Sequence, residues 1–120
     1  MSTEANKEIV RRWNEEFFNQ RQVDAIDRFL HPNYVGHPGG SPGTMDFAAA
    51  KEEFTKGLES NATSDAQLRI DDLIAEGDKV AFRWSVHQGG RAVWSGISIH
   101  RIEDDKIIED WYHSTEAAEA

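Results

Sequence analysis

Glu109, Trp111 and His113 occupy alternate positions in the run 106–115, KIIEDWYHST. In an extended chain alternate side chains share one face, so these three form a row with Ile107. A strand face turned to water has no need of the indole. A plain core face has no use for the carboxylate or the imidazole. The row reads as one wall of a small-molecule pocket, apolar with a few placed polar groups. Two further imidazoles, His37 and His100, add proton-transfer groups suited to neutral pH.

The elements that must position these groups follow from periodicity and turn chemistry. Ile9, Val10, Trp13 and Phe17 recur at helical spacing after Ser2-Thr3, which supplies a cap. A second short helix is expected over 23–30, ended by Pro32. The stretch HPGGSPG from His37 is a loop by composition. Phe47, Ala50, Phe54 and Leu58 mark a third helix, capped by Thr44 or Asp46. Four strands follow, at about 67–76, 79–88, 91–102 and 106–115. Gly77-Asp78, Gly89-Gly90 and Asp104-Asp105 separate them as tight turns, which predicts an antiparallel four-stranded meander. Helices first and strands second make the chain α+β, with helices on one side of one sheet. One domain spanning 1–120 is expected, because the length supports a single core.

Counting back from the two-residue turns sets His100 opposite Glu109, Ser98 opposite Trp111 and Val86 opposite Val93. One face then carries Val80, Phe82, Trp84, Val86, Val93, Ile97, Ile99, Ile108 and Tyr112. The other carries Arg83, Ser85, His87, Trp94, Ser98, His100, Glu109, Trp111 and His113. Neither face suits water, and the helices cover only one. A homodimer through the remaining face is therefore expected. The register is exposed to bulges, since one extra residue exchanges the faces beyond it.

Composition excludes several classes. Net charge is −9, from 22 acidic and 13 basic side chains, without a basic patch, which argues against nucleic acid and anionic membrane as partners. There are no cysteines, so disulfides and thiolate metal sites are excluded. The five His residues contain no HxxxH pair, and no metal or other cofactor is expected. No apolar run approaches membrane-spanning length and no signal-peptide pattern opens the chain, so a cytoplasmic location is the expectation. The acidic tail Glu116–Glu119 is read as a solvated end.

Several segments together resemble the SnoaL-like polyketide cyclase branch of the nuclear transport factor 2-like superfamily. They are NQRQVDAI from Asn19, Phe29-Leu30, Tyr34-Val35-Gly36-His37, DLIAEGDKVA from Asp72 with Arg83-Trp84, and Gly96-Ile97 through Lys106-Ile107 to Glu109-x-Trp111. The resemblance covers about residues 7–115. It implies a cone-shaped α+β barrel, a curved sheet around helices with a cavity at the wide end; ketosteroid isomerase is similar in layout. By pattern alone the face with Val80, Phe82 and Trp84 belongs on the helices. The resemblance instead turns the face with Ser98, His100, Glu109 and Trp111 towards the cavity, leaving the oilier face as the dimer surface. It implies a base at His37, just before Pro38, and places Ser98 where an oxyanion-stabilising acid is usual. Thr115 stands where the cyclases have their acid.

Two function classes stay open. One is a cofactor-independent isomerase, cyclase or related lyase or hydrolase, acting on a small apolar carbonyl compound. His37, His100, Glu109 and His113 would do acid–base work, and Trp13, Phe17, Tyr34, Phe54, Arg83, Trp94, Ser98 and Trp111 would line the pocket. The other is a non-catalytic ligand-binding or association module of the same fold. Each polar candidate also has a structural reading: His37 as a loop-end residue, His100 and His113 as partners of buried polar groups, and Glu109 as half of an ion pair with Arg83 or His100.

Overall fold

The computed structural model describes residues 2–116; the rest of the acidic tail, 117–120, lies outside the described residues. Helix α1 (Thr3–Trp13) starts at Ser2, whose Oγ accepts from Ala5 N at 3.0 Å. It runs directly into a π-helical turn, Asn14–Asn19, a rare form that is frequent at functional sites. Helix α2 (Ala25–Phe29) is short, and β1 (Leu30–Pro38) follows at once. Helix α3 (Phe47–Ser60) is capped by Asp46, whose Oδ1 accepts from Ala49 N at 2.9 Å. Then come β2 (Gln67–Glu76), β3 (Lys79–Gln88), β4 (Arg91–Glu103) and β5 (Lys106–Glu116). Among the described residues no helix is long and apolar enough to cross a membrane.

The sheet has five strands, not four, in the order β1-β5-β4-β3-β2. The meander from β2 to β5 is as expected. The added strand, β1, pairs in parallel with β5, and its register breaks between Leu30 and Val35, around Pro32. An edge strand tolerates a proline, whose missing N–H breaks no ladder bond on the open side. The turn at Asp104-Asp105 has φ of 54° and 59°, and Gly89-Gly90 has 61° and 79°. Both match the left-handed hairpin turn whose twist suits the flanking strands.

Three bulges decide which face each side chain takes. Asp71 is the extra residue on β2, Val93 on β4 and Ile108 on β5. In consequence Phe82 lies opposite Ser98, Val80 opposite His100, and His100 opposite Asp110 rather than Glu109. The inner face therefore combines Val80, Phe82, Trp84 and Val86 with Ser98, His100, Asp110 and Tyr112. Glu109, Trp111 and His113 fall on the outer face with Ile97 and Ile99. The pattern-based placement of Val80, Phe82 and Trp84 against the helices holds. The placement of Glu109 and Trp111 towards the cavity, and of Phe82, Trp84 and Tyr112 on the dimer surface, is corrected. The Ile108 and Val93 bulges are the reason.

The core lies between this inner face and the helices. Val10, Ala25, Ile26, Leu30, Tyr34, Val80 and Ile107 are buried at its centre. Truncating a buried aliphatic there costs about 2–5 kcal/mol. Towards the other end of the sheet the helical and β layers separate and enclose a cavity.

Candidate active site

The π-helical turn supplies the helical wall of the cavity. Trp13 and Phe17 stack with centroids 4.6 Å apart and planes 10° apart, and Phe54 from α3 meets both at 6.1 and 6.0 Å. Asn19 then docks the turn on β2: its Nδ2 donates to Leu68 O at 3.0 Å and its Oδ1 accepts from Leu68 N at 2.7 Å. The sheet wall is Phe82, Trp84, Val86, Trp94, Ser98, His100, Asp110 and Tyr112, and the enclosed volume is about 490 Å³. That size suits one small organic molecule.

The floor carries the buried titratable groups of the cavity. His100 and Asp110 are 4% and 8% exposed. His100 Nε2 stands 3.2 Å from Asp110 Oδ1, at an angle off the line of a hydrogen bond. Asp110 Oδ1 and His100 Nδ1 have no hydrogen-bond partner among the described residues. Asp110 Oδ2 accepts from the Tyr34 hydroxyl at 3.1 Å. Burial, then the charge and the hydrogen bond of Asp110, push the Tyr34 phenol far above its ordinary pKa, so it stays a donor. The edge of Phe82 meets the His100 ring at 5.0 Å and 90°. Trp84 Nε1 donates to Ser98 Oγ at 3.0 Å. An unpaired buried polar atom costs about 1–3 kcal/mol, and such atoms in one place ask for a functional reason.

The expected site residues divide between the two faces. Trp13, Phe17, Phe54, Trp94, Ser98 and His100 line the cavity. Tyr34 is buried behind it and hydrogen-bonds Asp110. Arg83 lies exposed on the outer face, where its Nη2 pairs with Asp72 at 2.7 Å. His37, Glu109, Trp111 and His113 are also outside the cavity. His37 Nε2 lies 2.7 Å from Glu109 Oε2 and its ring stacks on Trp111 at 5.1 Å, while Arg101 Nε donates to Glu109 Oε1 at 3.1 Å. Burial raises the Glu109 carboxyl, but the hydrogen bonds and charges of His37 and Arg101 outweigh it, and the group is held below its ordinary value. His113 is exposed and lies against Gly39. Asp110, which the alternation from Lys106 turned outwards, is the functional candidate that sequence reasoning missed. A bulge signal at the adjacent pair Ile107-Ile108, two buried residues in succession, is what marks it.

One other group of donors comes together. His31, Glu103 and Asp104 bring three potential ligand atoms within 4.8 Å of one another. His31 Nδ1 accepts from Asn33 N at 3.0 Å, and Nε2 faces Asp104 Oδ2 at 3.2 Å. In the tautomer this requires, Nε2 carries the proton and has no lone pair for an ion. The group reads as a clasp between β1 and the β4–β5 turn.

A curved sheet wrapped on helices, opening into an apolar cavity, defines a cone-shaped α+β barrel of the nuclear transport factor 2-like type. The SnoaL-like domain family matches residues 10–110, and the chain belongs to that family. Solved structures with this architecture include a candidate polyketide cyclase from Acidithiobacillus ferrooxidans (23% identity over 95% of this chain and 91% of that one, TM-score 0.73). Others are IdmH, a candidate polyketide cyclase from Streptomyces antibioticus (20%, 91% and 91%, TM-score 0.70), and a candidate ketosteroid isomerase from Kribbella flavida (17%, 98% and 83%, TM-score 0.76). At such identities the likeness establishes the fold alone. A search of curated proteins returns no match.

Proposed function

We propose that the cavity binds a small apolar carbonyl compound and catalyses cofactor-independent proton transfer of the isomerase or cyclase kind. The observation that carries this reading is the His100–Asp110 pair, buried at the floor of an aromatic cavity with Nδ1 and Oδ1 unpaired among the described residues. His100 takes a proton from the carbon next to the carbonyl. The electron pair of that C–H bond moves onto the carbonyl oxygen to give an enolate. The imidazolium returns the proton to carbon, at the same or a conjugated position, or the enolate carbon attacks a second carbonyl of the substrate. Asp110, held by Tyr34, stabilises the imidazolium. The descriptions of the named structural neighbours, candidate polyketide cyclases and a candidate ketosteroid isomerase, are compatible with this class.

The test is deuterium uptake next to the carbonyl of 2-decalone and α-tetralone in D2O, followed by NMR. Wild-type protein should accelerate uptake, and His100→Gln and Asp110→Asn should each lower the enzymatic rate by about 10²–10⁴-fold without loss of fold. Undiminished uptake in both variants overturns the assignment. Ketone binding without uptake in the wild type favours the non-catalytic binding module. The same proposal includes a homodimer through the outer sheet face.

A further inference from the structure

The charged lining of the cavity carries one more negative than positive group. Besides His100, three charged side chains line it: Arg21, Glu53 and Asp110. The Arg21 guanidinium is occupied by the main chain. Its Nε donates to Asn61 O at 3.2 Å, Nη1 to Asn19 O at 3.1 Å, and Nη2 to the carbonyls of Ser64 and Ala66 at 3.0 Å each. At most one of its five N–H groups is left, too few for a two-pronged grip on a carboxylate. Glu53 stands exposed on α3 at the rim of the cavity; Lys56, one turn on, pairs with Glu52 at 3.0 Å and also feels the charge of Glu53. Asp110 is buried with one oxygen unpaired. Burial raises the Tyr112 phenol, and the carboxylates of Asp110 and then Glu53 push it further up. The walls between the two acids are the rings of Trp13, Phe17, Phe54, Phe82, Trp84 and Trp94, whose faces attract cations.

We propose that the natural occupant is a basic amino ketone, an apolar skeleton whose ammonium group seats at the mouth between Glu53 and the aromatic wall while its carbonyl reaches His100 and Asp110. This rests on the acid–base reading of the cavity and narrows its substrate class. A carboxylate at the same place would meet the like charge of Glu53 and no free arginine fork.

The test uses one skeleton with three ends: 4-phenylcyclohexanone bearing trimethylammoniomethyl, hydroxymethyl or carboxylate at the para position. Affinity is read from tryptophan fluorescence. The ammonium compound should bind about tenfold tighter than the alcohol, as expected for a cation held by aromatic faces and one carboxylate, and the carboxylate should bind most weakly. The spread should shrink as salt is added. Glu53→Gln should remove most of the ammonium advantage and leave the alcohol unchanged; Glu52→Gln should change neither. A carboxylate that binds as well as the ammonium, or an ammonium advantage that survives in Glu53→Gln, overturns the proposal. Equal binding of all three overturns it while leaving the cavity reading intact, and deuterium uptake by the alcohol reports on the chemistry separately. Failure of all three to bind overturns both.

Discussion

Glu109 and Asp110 are neighbours in the chain with opposite surroundings. Glu109 faces out and is satisfied twice, by His37 and Arg101. Asp110 faces in and is satisfied once, by Tyr34. Glu109 ties two strands together at the surface, whereas the second oxygen of Asp110 is turned to the His100 ring, 3.2 Å from Nε2. That difference was invisible in KIIEDWYHST, where residue types suggested Glu109 and the alternation hid Asp110. The Tyr34 bond gives a pH test. Its phenol is raised in the folded state, while the unfolded chain ionises near the ordinary tyrosine value of about 10. Below that pH both states keep the proton and the stabilisation is complete. Above it the unfolded chain binds fewer protons, so stability falls as pH rises, by at most about 1.4 kcal/mol per pH unit for one group. Tyr112, also raised, acts in the same window. Urea unfolding from pH 8 to pH 11 should show this decline, and Tyr34→Phe should flatten it. An equal decline in Tyr34→Phe would refute the account.

At the level of elements, helices, turns and meander strands were legible because their signals are local: caps at Ser2 and Asp46, helical spacing of apolar residues, and glycine or aspartate pairs in the turns. Strand β1 was not, because Leu30-His31-Pro32-Asn33 has poor strand character and is extended by its pairing with β5. The bulges were not, because an extra residue such as Ile108 looks like any other apolar strand residue until its partner strand is known. Each bulge exchanged faces downstream, which is why Ser98 and His100 reached the cavity as expected while Glu109 and Trp111 did not. Gly96 illustrates what the resulting inner face requires. A Cβ there would overlap the Trp84 indole and press on the His113 carbonyl, and that indole is tied to Ser98. Gly96→Ala should therefore destabilise the protein by about 1–3 kcal/mol, the usual cost of overpacking, and should weaken ketone binding by moving Trp84 into the cavity. A urea midpoint matching the wild type would show that the strands spread at no cost.

For the whole molecule, the outer sheet face is the surface that no helix among the described residues covers. Ile97 and Ile99 are 57% and 37% exposed there, next to the His37–Trp111 stack, and strand residues facing water are rarely so apolar. Its charges nearly balance: Lys79, Arg69, Arg83 and Arg101 stand against Asp71, Asp72 and Glu109, on a chain whose net charge is −9. Two acidic molecules approaching through this face meet less repulsion than through any acidic surface. The proposed homodimer would use it, burying more than about 1,000 Å² in total. The contact set differs from the sequence expectation, because Phe82, Trp84 and Tyr112 serve the cavity, leaving Ile97, Ile99 and Trp111 as its apolar centre. The distinction can be measured. Sedimentation velocity at micromolar concentration should give a dimer for the wild type and a monomer for Ile99→Glu, since a charge buried at the centre lacks a partner, with ketone affinity retained. Phe82→Glu should instead destabilise the fold or abolish ketone binding, because that side chain packs against His100 inside. A wild-type monomer would leave the outer face without its proposed partner. A soluble, ketone-binding Phe82→Glu monomer would return Phe82 to the outer surface and overturn the bulged register itself.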